Sequence, residues 1–184
     1  MKTVPNLFDL YKLIKENEVS AYTIYVDMDG VIADFDQRFF DISGMTPDQY
    51  KDKYGVNKFW DLIDEENKVK FWAGIPLMSG AKKLIDYVSK YDYEILTAPS
   101  IKKQSRIGKM VWLRKIHSGL FPNTPKVNFK SAKEKHQVKS SLTKTDILID
   151  DRQSTIDNWN NAGGTGIFYT SAENAIEQLK KLGL

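Results

Sequence analysis

Short runs of β-branched and aromatic residues recur along the chain, and each closes on polar or turn-forming residues. They cover 22–26, 93–97, 126–129, 145–150 and 166–169. Runs of this length and composition predict buried strands. The stretches between them change period. Leu84, Ile85 and Val88 recur at helical spacing within 79–91, and Ala172, Ala175, Ile176 and Leu179 do so after 170. Residues 101–118 and 153–162 also predict helices, stopped by Gly119 with Pro122 and by Gly163 with Gly164. Ser79 is placed to cap the first of these helices, and Thr170 with Glu173 has the pattern of a capping box for the last. Leu7, Leu10, Tyr11 and Ile14 predict a further helix over 6–17. Strands alternating with helices imply an α/β fold, a doubly wound Rossmann-like parallel sheet of about five strands with helices on both faces.

Residues 35–78 break this rhythm. Phe35, Phe39, Phe40, Tyr50, Tyr54, Phe59, Trp60, Phe71 and Trp72 crowd into short helical pieces, separated at Gly44, Pro47, Gly55 and Gly74 with Pro76. The pattern predicts a small helical cap, 35–78, inserted into a core made of 1–34 and 79–184. Most of these rings should form the cap's own core. An aromatic-rich insertion behind a polar turn also has the makings of a lid that stacks on a flat ligand.

Composition narrows the chemistry. The absence of Cys rules out disulfides, thiolate nucleophiles and Cys-ligated zinc, and two His are too few for most zinc sites. Hard-cation chemistry with oxygen ligands remains. No apolar run reaches the length of a membrane span and the first residues lack a signal-peptide core, so a cytoplasmic location is expected. Net charge is only +3, but 101–140 holds eleven basic residues against the single acid Glu134. Such a segment draws anions, and it leaves nucleic acid as a second class of partner beside a small anionic molecule. Most of these charges are also what ordinary solvated helix faces carry.

The ends of the strands carry the candidate chemistry. Asp27 and Asp29, two apart at the end of a strand, point to the same side, an unfavourable pairing unless a cation or proton lies between them. Gly30 then lets the backbone turn sharply. Taken alone this is also how many strands end in a polar turn. The second strand closes on Thr97, Ala98, Pro99 and Ser100, a hydroxyl before a helix start, which suits phosphate as well as plain capping by Ser100. The fourth closes on Asp150 and Asp151, followed by Arg152, and Lys133 and Lys135 follow the third. In such a sheet ligands bind beyond the carboxyl ends of the strands, so these groups should meet in one crevice. Four carboxylates there require a cation, and oxygen ligands in that number suit Mg2+.

Asp27, Met28, Asp29, Gly30, Val31, Ile32, Ala33 and Asp34, then Leu96 with Thr97, the lysine cluster, and Leu148, Ile149, Asp150, Asp151 and Arg152 resemble the four motifs of the haloacid dehalogenase (HAD) superfamily of phosphatases. With Phe35, Phe71, Trp72, Pro76, Gly80, Ala81, Lys102 and Trp112, the chain from 22 to 169 is similar to the 5'(3')-deoxyribonucleotidases, the cytosolic C-type 5'-nucleotidases. The resemblance implies that Asp27 is the nucleophile, forming an aspartyl-phosphate, and that Asp29 is the general acid and then the base. It implies Mg2+ held by Asp27, the Asp29 carbonyl, Asp150 and Asp151, and phosphate held by Thr97, Ala98 and a lysine. The family's lysine lies closer to its acidic pair than either candidate here, so Lys135 and Lys133 both stand. Phe35, Trp60, Phe71 and Trp72 of the cap would line the base pocket.

The function expected is a Mg2+-dependent phosphomonoesterase of nucleoside monophosphates, with deoxyribonucleotides the substrates implied. A phosphatase of a sugar phosphate or of a nucleic-acid end is a second enzyme class that these residues would serve. A non-catalytic nucleic-acid binder would use the basic segment, but it has no need of the Asp27 and Asp29 pair.

Overall fold

The computed structural model describes residues 6, 7 and 22–184. Beyond Asn6 and Leu7, the helix expected over 6–17 lies outside them. Strand β1 (Thr23–Val26) is the centre of a five-stranded sheet with β2 (Asp92–Thr97) on one side and β4 (Asp146–Asp150) on the other. Strand β3 (Lys126–Phe129) flanks β2, and β5 (Thr165–Phe168) flanks β4. Every pairing is parallel. Val26 lies in register with both Ile95 and Ile149, so β1, β2 and β4 reach one edge of the sheet together.

Alternation along the strands fills two layers. Ile24, Val26, Ile95, Ile147, Ile149 and Ile167 join one large apolar cluster, and Tyr25, Leu96 and Leu148 join a smaller one on the other face. The large layer is covered by α5 (Ala81–Val88) and α8 (Ala172–Lys181), whose Leu84, Ile85, Val88, Ala175, Ile176 and Leu179 face it. The small one is covered by α7 (Gln153–Asn161) through Ile156 and Trp159. The doubly wound parallel sheet is thus as the alternating pattern predicts. Two helix starts differ from it by a residue. The cap of α5 is Gly80, in the left-handed region at φ 80°, rather than Ser79. The cap of α8 is Ser171, whose side chain accepts from the Asn174 N–H, rather than Thr170.

The insertion leaves and rejoins the core at a narrow stem, where Asp34 N–H donates to the Pro76 carbonyl and Met78 N–H to that of Ile32. Between them run α1 (Phe35–Ser43), α2 (Pro47–Tyr54), α3 (Val56–Trp60), a wide π-type turn over Asp61–Asn67, and α4 (Lys68–Ala73). Thr46 and Gln49 cap α2 reciprocally, with Pro47 at its first turn. Phe39, Phe59, Ile63, Phe71 and Trp72 are buried and belong to the same apolar cluster as the sheet. Helix α4 packs on α6 (Lys103–Val111) at Gly108, where an added Cβ would stand 2.3 Å from the Trp72 Cβ. Trp112, just beyond α6, donates from Nε1 to the Ile75 carbonyl at 2.6 Å. No helix among the described residues is long and apolar enough to cross a membrane.

Candidate active site

Because β1, β2 and β4 end together, their first residues beyond the apolar run converge. Asp27 N–H still donates to the Ile149 carbonyl, which fixes Asp27 beside Asp150. Lys135 enters from the 3-10 turn Ala132–Gln137 that follows β3. It is 2% exposed, and its Nζ lies 2.7 Å from Asp27 Oδ2 and 2.7 Å from Asp150 Oδ2. Lys133, two residues earlier, is exposed. The remaining Asp27 oxygen accepts from Met28 N–H at 2.7 Å, and Asp150 Oδ1 accepts from Arg152 N–H at 2.9 Å.

Asp151 completes the cluster. Oxygens of Asp27, Asp150 and Asp151 lie within 4.8 Å of one another, and Asp151 Oδ1 is buried without a partner among the described residues. Gly30, at φ 77°, makes room: a Cβ there would stand 2.2 Å from Asp151 Oδ2. Burial first, and then the Asp27 charge, push the carboxyl of Asp150 up to about 6 and that of Asp151 up to about 7. Burial works to lower the Lys135 ammonium, but Asp27 and Asp150 outweigh it and the net direction is up.

Asp29 has a partner that the motifs do not include. Lys109, fully buried on α6, donates to Asp29 Oδ2 and, at 2.7 Å, to Thr97 Oγ1. Its ammonium also lies 5.2 Å from the centroid of the Trp72 ring. Thr97 therefore accepts from Lys109 and keeps its own proton to donate. Asp29 Oδ1 is buried and unpaired among the described residues. The signal for Lys109 is present in the chain: Ser105, Gly108, Lys109 and Trp112 share the buried stripe of α6 at spacings of three and four. A lysine on such a stripe requires a carboxylate.

Four carboxylates, Asp27, Asp29, Asp150 and Asp151, thus face two ammoniums, Lys135 and Lys109. The carboxylates outnumber the ammoniums, which suits a cation. The unpaired Oδ1 of Asp151, hard donors throughout and the glycine that admits the Asp151 carboxylate fit Mg2+ well.

Asp27, Asp29, Asp151 and Lys135 form the floor of a cavity of ≈ 950 Å³, and Asp150 and Thr97 are fully buried beneath it. Phe35, Phe59, Trp60 and Trp72 line it, as do Ala98 and Ser100. Phe71 does not: it is fully buried behind the wall, its ring 5.2 Å from Phe35 and 5.3 Å from Trp72. The helix expected to start directly after Ser100 begins at Lys103, and Ser100 Oγ accepts from the Lys102 N–H instead of capping it. Within the basic segment Lys109 and Lys135 are inside, Lys102 pairs with Glu65, Lys126 with Glu94 and Lys139 with Asp146, while Lys103, Arg106, Arg114, Lys115 and Lys133 are exposed.

No family model matches this chain, and no curated protein matches it. Solved structures share its fold. A hydrolase from Streptococcus pneumoniae TIGR4 is 17% identical over 88% of this chain and 99% of its own, with a TM-score of 0.51. The HAD-hydrolase YfnB from Bacillus subtilis, solved bound to magnesium, is 16% identical over 88% and 97%, at 0.56. A HAD-superfamily hydrolase of subfamily IA from Geobacter sulfurreducens is 12% identical over 87% and 97%, at 0.54. Identities this low speak for the fold alone, which is that of the HAD hydrolases.

Proposed function

We propose that this chain, built on the fold of HAD hydrolases, is a Mg2+-dependent phosphomonoesterase acting on nucleoside monophosphates. The observation that carries the reading is the Lys135 bridge between Asp27 and the buried Asp150, 2.7 Å to each, at the floor of a cavity that Phe35, Phe59, Trp60 and Trp72 help to line. Asp27 attacks phosphorus, the ester oxygen leaves with the bonding pair, and an aspartyl-phosphate forms. Asp29 gives the leaving oxygen its proton through Oδ1, the oxygen that Lys109 does not hold. Asp29 then takes a proton from water as that water attacks phosphorus, and phosphate departs with Asp27 restored. Lys135 and the Thr97 hydroxyl stabilise the charge that gathers on the phosphoryl oxygens. Asp27, Asp150, Asp151 and the Asp29 carbonyl would hold Mg2+, which would supply further positive charge to the phosphoryl group.

The aromatic walls favour a base over a sugar, because a sugar phosphate presents no extended π-face. Phosphate release from a panel of nucleoside monophosphates, glucose 6-phosphate and a 5'-phosphorylated oligonucleotide, with Mg2+ and with EDTA, tests the reading. Preference for the nucleotides, abolished by EDTA and by Asp27→Asn, is expected. A preference for glucose 6-phosphate, or full turnover in excess chelator, overturns it.

A further inference from the structure

The cavity continues away from the phosphoryl floor to one carboxylate that the chemistry does not use. Asp64 lies in the π-type turn Asp61–Asn67, a wide backbone geometry that recurs at functional sites. It lines the cavity and is 3% exposed. Its Oδ1 accepts from Trp72 Nε1 at 3.2 Å, and its other oxygen has no partner among the described residues. None of the lysines lining the cavity pairs with it. Lys51 is held by Asp48 at 2.7 Å and Lys102 by Glu65 at 2.8 Å, while Lys135 belongs to the catalytic trio. Asp64 lies close enough to Lys102 to raise its ammonium, but the ion pair of Lys102 is with Glu65, so the free oxygen of Asp64 is open to a donor from a ligand in the cavity.

The same indole locates Asp64 relative to the chemistry. Trp72 holds Asp64 by its ring N–H, and its ring lies beside Lys109, whose ammonium holds Asp29. Asp29 and Asp64 are therefore joined through one indole and one ammonium, along one wall of a single cavity. On the nucleotidase reading, a nucleotide with its phosphate over Asp27 would have this wall available to its base.

We propose that Asp64 selects the base: its carboxylate accepts an N–H from the exocyclic amine of a nucleobase, and it rejects the base that offers a carbonyl at that position. The proposal rests on the nucleotidase reading. Two acceptors cannot share a hydrogen, so a carbonyl facing Asp64 leaves both groups desolvated and unpaired. Sites built to bond a donor discriminate strongly against ligands lacking it. A carboxylate accepting from the cytosine amine has the matching chemistry.

Deoxycytidine and deoxyuridine monophosphates put the question, since position 4 carries an amine in one and a carbonyl in the other, while the neighbouring N3 is an acceptor in cytosine and an N–H in uracil. The protein should turn over the cytidine nucleotide with a kcat/KM about tenfold or more above that of the uridine nucleotide. Asp64→Asn keeps an acceptor for Trp72 and can offer its amide as a donor, so it should bring the ratio to about unity or invert it. Calorimetric binding of the same two nucleotides to the Asp27→Asn protein gives the comparison without turnover, and melting curves confirm that Asp64→Asn is folded. Equal use of both nucleotides by the unsubstituted protein overturns the Asp64 assignment while leaving the nucleotidase reading intact. So does a ratio that Asp64→Asn leaves unchanged. Hydrolysis of p-nitrophenyl phosphate with neither turnover nor binding of either nucleotide removes the nucleotidase reading, and the proposal with it.

Discussion

Lys133 and Lys135 are two residues apart, yet one is exposed while the other bridges two carboxylates. Replacing Lys135 by Ala should lower kcat/KM by about two orders of magnitude, the usual loss for a group that stabilises transition-state charge. Lys133→Ala should leave it within about twofold, as surface substitutions do. A comparable fall for both would mean that the bridging geometry has no bearing on turnover. Lys109 acts one step further out, through Asp29. Lys109→Met removes the ammonium that holds Asp29, the proposed proton donor, so it should depress hydrolysis of a nucleotide, whose alkoxide needs a proton. It should harm p-nitrophenyl phosphate less, because nitrophenolate leaves unaided. The ratio of the two rates is the measurement, and an equal loss would mean that Lys109 serves folding alone. The acids at strand ends are legible in the sequence because their position follows from the sheet, which local patterns predict. Lys109 is harder to see: its charge suggests a surface, and only the stripe of Ser105, Gly108 and Trp112 around it says otherwise.

At the scale of elements, the contact of α4 with α6 fixes the aromatic wall. Gly108→Ala would drive a methyl into the Trp72 Cβ and to 2.9 Å from the Val69 carbonyl, so the helices must part. Overpacking of this kind costs about 1–3 kcal/mol. Thermal unfolding should show the loss, and Gly119→Ala, where nothing lies within 4 Å, should show little. Parallel melting curves for the two variants would contradict the packing argument. Strands and helices are predictable as types, while their ends shift for local reasons. A Ser two residues ahead of α5 is a plausible cap, but the chain enters that helix through a left-handed Gly80. The basic helix predicted over 101–118 stops being α-helical at Val111 and widens over Trp112–Ile116, where Trp112 is held by the Ile75 carbonyl. Neither choice is visible without the tertiary partner.

For the whole molecule, the carboxylate cluster couples stability to pH and to metal. Asp150 and Asp151 are raised from 3.8 to about 6 and about 7, so between about pH 4 and 7 the folded chain holds protons that the unfolded chain releases. Their contribution is fully present below pH 4 and is lost as pH rises through 7. In chelator this contribution should fall from pH 5 to pH 8, and Mg2+ should raise Tm more at pH 8 than at pH 5, because the carboxylates must be ionised to bind it. Scanning fluorimetry at both values, with and without Mg2+, reads the difference; a larger Mg2+ shift at pH 5 would contradict it. The order of strands has a consequence for synthesis. Strand β1 is translated first, but it sits mid-sheet, and its second edge is closed only by β4. While the insertion, β2 and β3 are still being made, Ile24 and Val26 stand in an open strand edge of the kind that recruits other chains. The strand that closes the edge also delivers Asp150 and Asp151. On the ribosome, the end of aggregation risk and the arrival of two of the carboxylates proposed to hold Mg2+ are therefore the same event.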